Sequence, residues 1–452
     1  MSKHHLTFTV LEEGAPNQDL LVIAPQFTEE IRSANDANLS ALMANCDIMQ
    51  FRHTLHRIME SDQYHNAVVQ KQLTQSLGPR LPDIVDEAKK SFNDEIGYLS
   101  KSQDFVMWDK SFAIVTRTAN RLLFGPELAK DKGFLRLSID FSYVMFGGAD
   151  LVRAYPEILK PIIMWWKTSL YRSLAEARGY LIPILTERII LMKSHEKEGT
   201  MSDWAKTKPN DCIQWVLDIT PPDKRDATIL VYRMLHINIA AVHTSSVTFL
   251  DCVYELANHP EIHDELRSEV TEVFAREGDW QKQGLTKLIK MDSFMRETVR
   301  FNPLFSSNLD RIALKDTKLS DGLLIPKGTY VTTPSYPKYM DNDYYPDAHV
   351  FDAFRFSKQR TEPGQETNFS FVQTSTNYLH FGHGKHACPG RFFASNEIKV
   401  LLVLLLMNYD VSLKEPGKRP ANMWFTKSRT PDPRGIIRWI SRKHVPDYAK
   451  LD

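Results

Sequence analysis

Near the C-terminal end a lone cysteine stands in a run able to hold a sulfur anion, Phe381-Gly382-His383-Gly384-Lys385-His386-Ala387-Cys388-Pro389-Gly390. Gly382, Gly384 and Gly390 let the backbone turn tightly and approach a flat ligand closely. A helix-forming run, Arg391 to Leu406, follows at once, and amide groups of the turn and of the helix N-terminus favour thiolate over thiol. Zinc needs further ligands at finger-like spacing; no Cys-x-x-Cys occurs, and His383 and His386 are the only nearby candidates. Cys46, Cys212 and Cys252 are scattered without a disulfide pattern. The remaining alternative is a small buried residue. Against it stands the rarity of the string, on the order of once in ten thousand chains of this length from residue usage.

The loop resembles the haem-binding signature of the cytochrome P450 superfamily. The resemblance implies that Cys388 is the axial thiolate of haem b iron, a ligand that pushes electron density toward O–O cleavage. It sets His386 against a haem propionate, with Phe381 and Gly382 beside the sulfur. Three further strings occur in the family's order. Glu297 and Arg300, in Phe294-Met295-Arg296-Glu297-Thr298-Val299-Arg300, share a helix face; alone, such a pair is a solvated contact of little worth. Arg355, in Phe351-Asp352-Ala353-Phe354-Arg355-Phe356, stands where the family supplies a second arginine to the same glutamate. The three are thereby expected to be a structural support that pins the irregular segment from Arg355 to the cysteine loop.

The second string, Ala240-Ala241-Val242-His243-Thr244-Ser245, lies in a run from Asp226 to Asn258 that reads as one helix. It resembles the family's distal helix. Ala240 and Ala241 then leave room for dioxygen, and Thr244 offers a hydroxyl to the proton relay. Taken alone, a mid-helix threonine bonds back to its own helix. His243 replaces the usual Asp or Glu and is expected to shuttle protons near neutral pH; a similar string occurs in a fungal subgroup acting on terpenoids. Third, Arg311 matches an arginine aimed at a haem propionate. On an early helix His65 is the expected contact to the other propionate, with Lys71 a second candidate and Gln70 where an arginine is expected.

The elements that must carry these residues are mostly helical, from about Gln70 to Phe301. Leu6 to Val10 and Leu20 to Ala24 read as strands joined by a Gly14-Ala15-Pro16-Asn17 turn, Pro25 precedes a short helix, and Leu323 to Val331 reads as a hairpin. The expected fold class is mostly α with small β-sheets, the cytochrome P450 fold. The 452 residues are 42% hydrophobic and contain no Gly/Ser linker, repeat or low-complexity tract, so residues 1–452 are expected to form a single domain. Zero net charge with dispersed basic residues argues against a nucleic-acid partner, and scattered cysteines suit a reducing compartment.

No run approaches the roughly 20 apolar residues that span a bilayer. The family's microsomal members begin with such an anchor, so the chain is expected to be a shortened form without anchor and first helix, or to have its start assigned downstream of the real one. Pro156 to Leu170 contains Ile158, Leu159, Ile162, Ile163, Met164, Trp165 and Trp166. It reads either as an interfacial membrane contact or as core helix. The resemblance implies a fungal, microsomal-type monooxygenase at the cytosolic face of the endoplasmic reticulum, the cytoplasm being the alternative. Such an enzyme takes electrons from NADPH through a separate NADPH-cytochrome P450 reductase and inserts one oxygen atom from O2 into a bulky apolar substrate of terpenoid or other secondary-metabolite type. Lys385, Arg391 and Lys399 are expected to face the reductase. Ile237, Ala240, Ala241, Leu304, Phe305, Trp424 and Phe425 are expected to line the substrate pocket, with hydrogen bonds from Ser306, Ser307 and Asn308. An isomerase or dehydratase that needs no external electrons, and an inactive haem-binding form, are the alternatives; the Thr244 hydroxyl argues against the first.

Overall fold

The computed structural model describes residues 7–11 and 19–451. Helices form its bulk, and the described strands gather into small sheets, which is the mostly α class expected. The longest helix, Ala227–Asn258, begins where the Asp226 carboxylate accepts the Thr228 amide at 2.8 Å, and it stops before Pro260. Val231, Ile237, Ile239, Val242, Val247 and Val253 are weak helix formers. Burial on nearly every side holds the helix instead, as befits a segment apolar all round at the centre of a large fold. It packs against Met107–Leu123, Lys132–Arg153, Leu170–Glu198 and Arg391–Asn408. In the last of these Val400 to Leu406 are buried without a break. The cysteine loop and the 227–258 helix therefore share one core.

The largest sheet runs, in spatial order, Phe8–Leu11, Asp19–Val22, Tyr330–Pro334, Ser307–Ala313 and Leu39–Ser40. Asp19–Val22 and Tyr330–Pro334 lie parallel and the other pairs antiparallel. Register shifts between Asn308 and Arg311, where Leu309 takes a φ of 60°. Such a bulge re-aims side chains, and here it lies between Asn308 and Arg311.

Two expectations need correction, and a third lies outside the described residues. The short helix expected after Pro25 is present at Thr28–Ser33, but further helices also precede Gln70, at Ala41–Met49 and Phe51–Thr54. The expected turn at Gly14 to Asn17, with Leu6, lies outside the described residues. Leu323 to Val331 is not a hairpin: Leu324–Ile325 pairs back with Thr317–Lys318, whereas Tyr330–Pro334 joins the large sheet. The turn at Pro326 to Gly328, with Gly328 at a φ of 89°, redirects the chain, and burying Tyr330 and Val331 between two strands outweighs local pairing.

The Pro156 to Leu170 segment folds as a short helix, Lys160–Lys167, preceded by an extended turn. Ile158, Ile162, Trp165 and Trp166 are 83%, 58%, 72% and 66% exposed, so this is not core helix. The buried groups of the helix are Met164 and Lys160, the latter donating to Gln50 Oε1 at 2.8 Å and to Glu157. No helix among the described residues is long and apolar enough to cross a membrane.

Candidate functional site

The Cys388 amide donates to the Phe381 carbonyl at 2.7 Å, closing the loop. Gly382 and Gly384 take φ values of 66° and 78°, where side chains are strained. At Gly384 a Cβ would also stand 2.8 Å from Cγ of Arg32. Cys388 lines a cavity of about 260 Å³ together with Phe381, Ile237, Ala240, Ala241, Thr244, Leu304 and Phe305. Burial raises its thiol pKa, opposed by the Gly390 amide, the Arg391 charge and the Arg391 amide. The loop and helix amides thus favour thiolate as expected, and burial opposes them. A cation at sulfur is what deprotonates a buried thiol.

On the wall of the same cavity, Thr244 Oγ1 donates to the Ala240 carbonyl at 2.9 Å and also borders a second cavity of about 580 Å³. The second space is lined by His243, Asn308, Asp310, Phe425 and Lys427, and shares Leu304 and Phe305 with the first. His243 is held by aromatic neighbours. Its ring sits among Phe112, Tyr143 and Phe146 at centroid distances of 5.7, 5.8 and 5.2 Å, facing the second cavity only. Burial pushes it down to about 4, so at neutral pH it is the neutral imidazole, with one N–H and one bare nitrogen.

Arg311 is buried at 3% exposure; Nη1 donates to the Asp310 carbonyl, while Nε and Nη2 have no partner. His386 is exposed and pairs with Asp36 at 2.8 Å. His65 is a correction. It is fully buried and bonds His236 at 2.7 Å, while its neighbours Asn66 and Val69 face the Cys388 cavity. Gln70 and Lys71 are exposed. The helical step decides this: His65 sits about 100° around the axis from Asn66. Taken together, the residues fit a haem. One sulfur, small residues facing it, apolar walls and a buried guanidinium with two unused donors suit iron, a flat ring and a carboxylate. Among the described residues no three of His, Cys, Asp or Glu converge as an alternative metal centre.

Glu297, Arg300 and Arg355 meet as expected. Both Glu297 oxygens take Arg300 at 2.7 Å and Arg355 at 3.2 Å. Their reach is different from expectation. The arginines hold the carbonyls of Tyr339, Pro346, Ala348 and Val350, which precede Arg355. The segment after it is held by Arg296, whose Nη1 donates to Ser370 and Gln373 carbonyls at 2.6 and 2.8 Å and whose guanidinium lies 3.6 Å from the Tyr378 ring centroid. Arg296 adjoins a glutamate on a polar helix and so reads in sequence as solvated. His236 was also passed over, although its spacing of four and eight residues from Ala240 and Thr244 puts it on their face.

Two more corrections concern the surface. Lys399 is buried, paired to Asp292 at 2.7 Å and bonded to the Leu285 carbonyl at 2.8 Å, and cannot face a partner. Lys385 is exposed beside Asp36, and Arg391 half-buried, donating to the Cys388 carbonyl. Trp424 lines neither cavity and lies tilted against Tyr336, ring centroids 5.0 Å apart, while Phe425 reaches only the second. Their hairpin, Asn422–Phe425 with Ser428–Pro431, leaves both rings exposed. Of the expected polar contacts Asn308 alone reaches a cavity.

A family model described as Cytochrome P450 matches residues 21–437. The chain is similar to cytochrome P450 monooxygenase 151 of Postia placenta, at 34% identity over 94% of this chain and 84% of that one. It is similar to cytochrome P450 monooxygenase AN1598 of Emericella nidulans, at 32% over 96% and 81%. A third relative, cytochrome P450 monooxygenase paxP of Penicillium paxilli, is 33% identical over 90% of this chain and 78% of its own.

Proposed function

We infer that this chain, which belongs to the cytochrome P450 family and is a haem-thiolate monooxygenase of it, oxidises a bulky, mostly hydrocarbon ligand of terpenoid type. The observation that carries the reading is Cys388 and Thr244 facing one apolar cavity. Cys388 would hold iron through Sγ, and Arg311, with His386 turned from Asp36, would hold the ring carboxylates. Haem so bound supplies dioxygen activation and transfer of one oxygen atom. Ala240 and Ala241 keep the space opposite the sulfur open. Ile237, Leu304 and Phe305 exclude water and orient the ligand by shape. Thr244 Oγ1 holds a proton at the edge of that space, tethered to the Ala240 carbonyl.

Electrons are read as coming from NADPH through a separate reductase that meets Lys385 and Arg391. We read residues 1–452 as one catalytic unit resting on the cytosolic face of the endoplasmic reticulum through Ile158, Ile162, Trp165 and Trp166, whose exposure supports an interfacial contact. The test is Cys388→Ser. It is expected to fold, with far-ultraviolet circular dichroism unchanged, and to lose the long-wavelength ferrous–carbon monoxide band, because an oxygen ligand donates less to iron than sulfur does. A mutant that retains that band refutes the ligand assignment.

A further inference from the structure

The wall of the Cys388 cavity includes the imidazole of His236. Its Nδ1 lies 2.7 Å from Nε2 of His65, and Nδ1 of His65 lies 3.2 Å from Nη1 of Arg233. A guanidinium only donates. Arg233 therefore gives a hydrogen to His65 Nδ1, which leaves the proton of a neutral His65 on Nε2. That N–H is donated to His236 Nδ1, which leaves the proton of His236 on Nε2. The solution is unique while both rings are neutral, and burial holds them so, His65 at about 2 and His236 at about 4. Arg233 is itself fixed: it is buried, bonds the carbonyl and carboxylate of Asp62, and lies 3.9 Å from the Tyr64 ring centroid. The one hydrogen bond His236 makes among the described residues is at Nδ1, so Nε2–H stands without a protein partner.

We propose that His236 is a hydrogen-bond donor of fixed direction that selects substrates already carrying a neutral oxygen, as ketone, ether or hydroxyl, in the cavity beside Cys388. This rests on the reading of that cavity as the seat of a bulky, mostly hydrocarbon ligand. A carboxylate suits the position poorly. Val69, Leu73, Leu123 and Ile237 make the wall mostly apolar, with Asn66 among its few, uncharged polar side chains, and the cation behind His236, Arg233, is engaged by Asp62 and His65; a carboxylate buried there lacks a paired charge. A ligand without any oxygen leaves a buried N–H unpaired, and sites with such groups discriminate far better than apolar pockets do. A step that introduces an oxygen or forms a carbonyl must therefore supply this substrate.

The test uses haem-loaded protein and calorimetric titration with androstane, its monoketones and its monoalcohols. In the parent, the best oxygenated member is expected to bind about tenfold or more tightly relative to androstane, a preference that falls to about one in His236→Phe. His65→Phe keeps the imidazole but frees its tautomer, and is expected to lower the preference about threefold. Nitrogen NMR of labelled histidine in the diamagnetic ferrous–carbon monoxide state should find His236 protonated at Nε2 and bare at Nδ1. An equal preference in parent and His236→Phe, or a proton on Nδ1, overturns the proposal and leaves the substrate reading standing. Loss of haem without loss of preference in His236→Phe assigns the N–H to a porphyrin carboxylate and also overturns it. If nothing in the set binds to protein that shows the thiolate carbon monoxide band, the substrate reading fails and this proposal with it.

Discussion

Thr244 meets two demands with one oxygen. Its hydrogen is directed to the Ala240 carbonyl at 2.9 Å, the local bond any mid-helix threonine makes, yet the same oxygen borders both cavities. It can accept a hydrogen bond from the cavity at once and must turn to donate one. Thr244→Ala is expected to raise hydrogen peroxide released per product about tenfold, since proton delivery by a positioned group is lost; Thr244→Ser should stay near the parent. An unchanged peroxide-to-product ratio in Thr244→Ala removes the residue from the relay. Histidines set inside the fold, one fully buried and three on cavity walls, give a second prediction at this scale. His65, His236, His243 and His380 are pushed down to about 2, 4, 4 and 3 from 6.5. Between the unfolded and folded values the unfolded chain binds more protons, so their stabilisation is complete above about 6.5 and is lost as pH falls. Each group accounts for roughly 2 kcal/mol of loss by pH 5. The raised carboxyls of Glu269 and Glu397 act in the opposite direction, so the net slope mixes both. The difference between parent and His243→Phe isolates one group: urea midpoints across pH 7 to 5 should give a slope smaller by about one proton in the variant. Parallel slopes would mean that His243 is not buried neutral.

At the scale of elements, neighbouring residues on the Ile289–Phe301 helix divide the work on the irregular chain beyond it. Glu297 and Arg300, with Arg355, gather the carbonyls between Tyr339 and Val350, and Arg296 gathers those of Ser370 and Gln373. Both clusters are buried, so each backbone oxygen freed by a mutation would lie out of reach of water. Arg296→Met keeps most of the side-chain volume and is expected to destabilise by about 3 kcal/mol, with part of the haem lost on gel filtration. Glu297→Gln leaves two buried guanidinium groups short of a counter-charge and should cost about as much or more. An Arg296→Met protein with parental urea midpoint and full haem content would show that the 360–380 segment stands without that anchor.

Across the whole molecule, the exposed apolar residues before and within Lys160–Lys167 are not scattered singly. Ile158, Ile162, Trp165 and Trp166 stand out together, with Lys167 3.9 Å from the Trp166 ring centroid. Clustered exposure of this kind marks a contact surface, and tryptophans beside a lysine suit the water–lipid boundary. Replacing Trp165 and Trp166 by Glu should lower sedimentation with phosphatidylcholine–phosphatidylserine vesicles about tenfold without changing the far-ultraviolet spectrum. Equal sedimentation of variant and parent would leave this face without a membrane role.

Where chemistry depends on a local string, the sequence by itself determined the outcome. The glycines around Cys388, the three-residue step from Glu297 to Arg300 and the run from Asp226 to Asn258 each fix their geometry through backbone allowance or helical period, which are local properties. The fold class followed for the same reason, since long helical patterns are read from neighbours along the chain. Direction and partnership were decided only by the tertiary structure. Lys399 looks like surface charge until Asp292 and Leu285 close over it. His243 reads only as a neighbour of Thr244 until the fold sets its ring among three aromatic rings beside the second cavity. Residues 323–331 suggest a hairpin until two distant strands offer better partners. The proton on His236 is set by Arg233 through His65, a chain that brings residue 65 to residues 233 and 236. Burial and long-range pairing depend on which surfaces the fold brings together, and a linear pattern of residue types carries that information only indirectly.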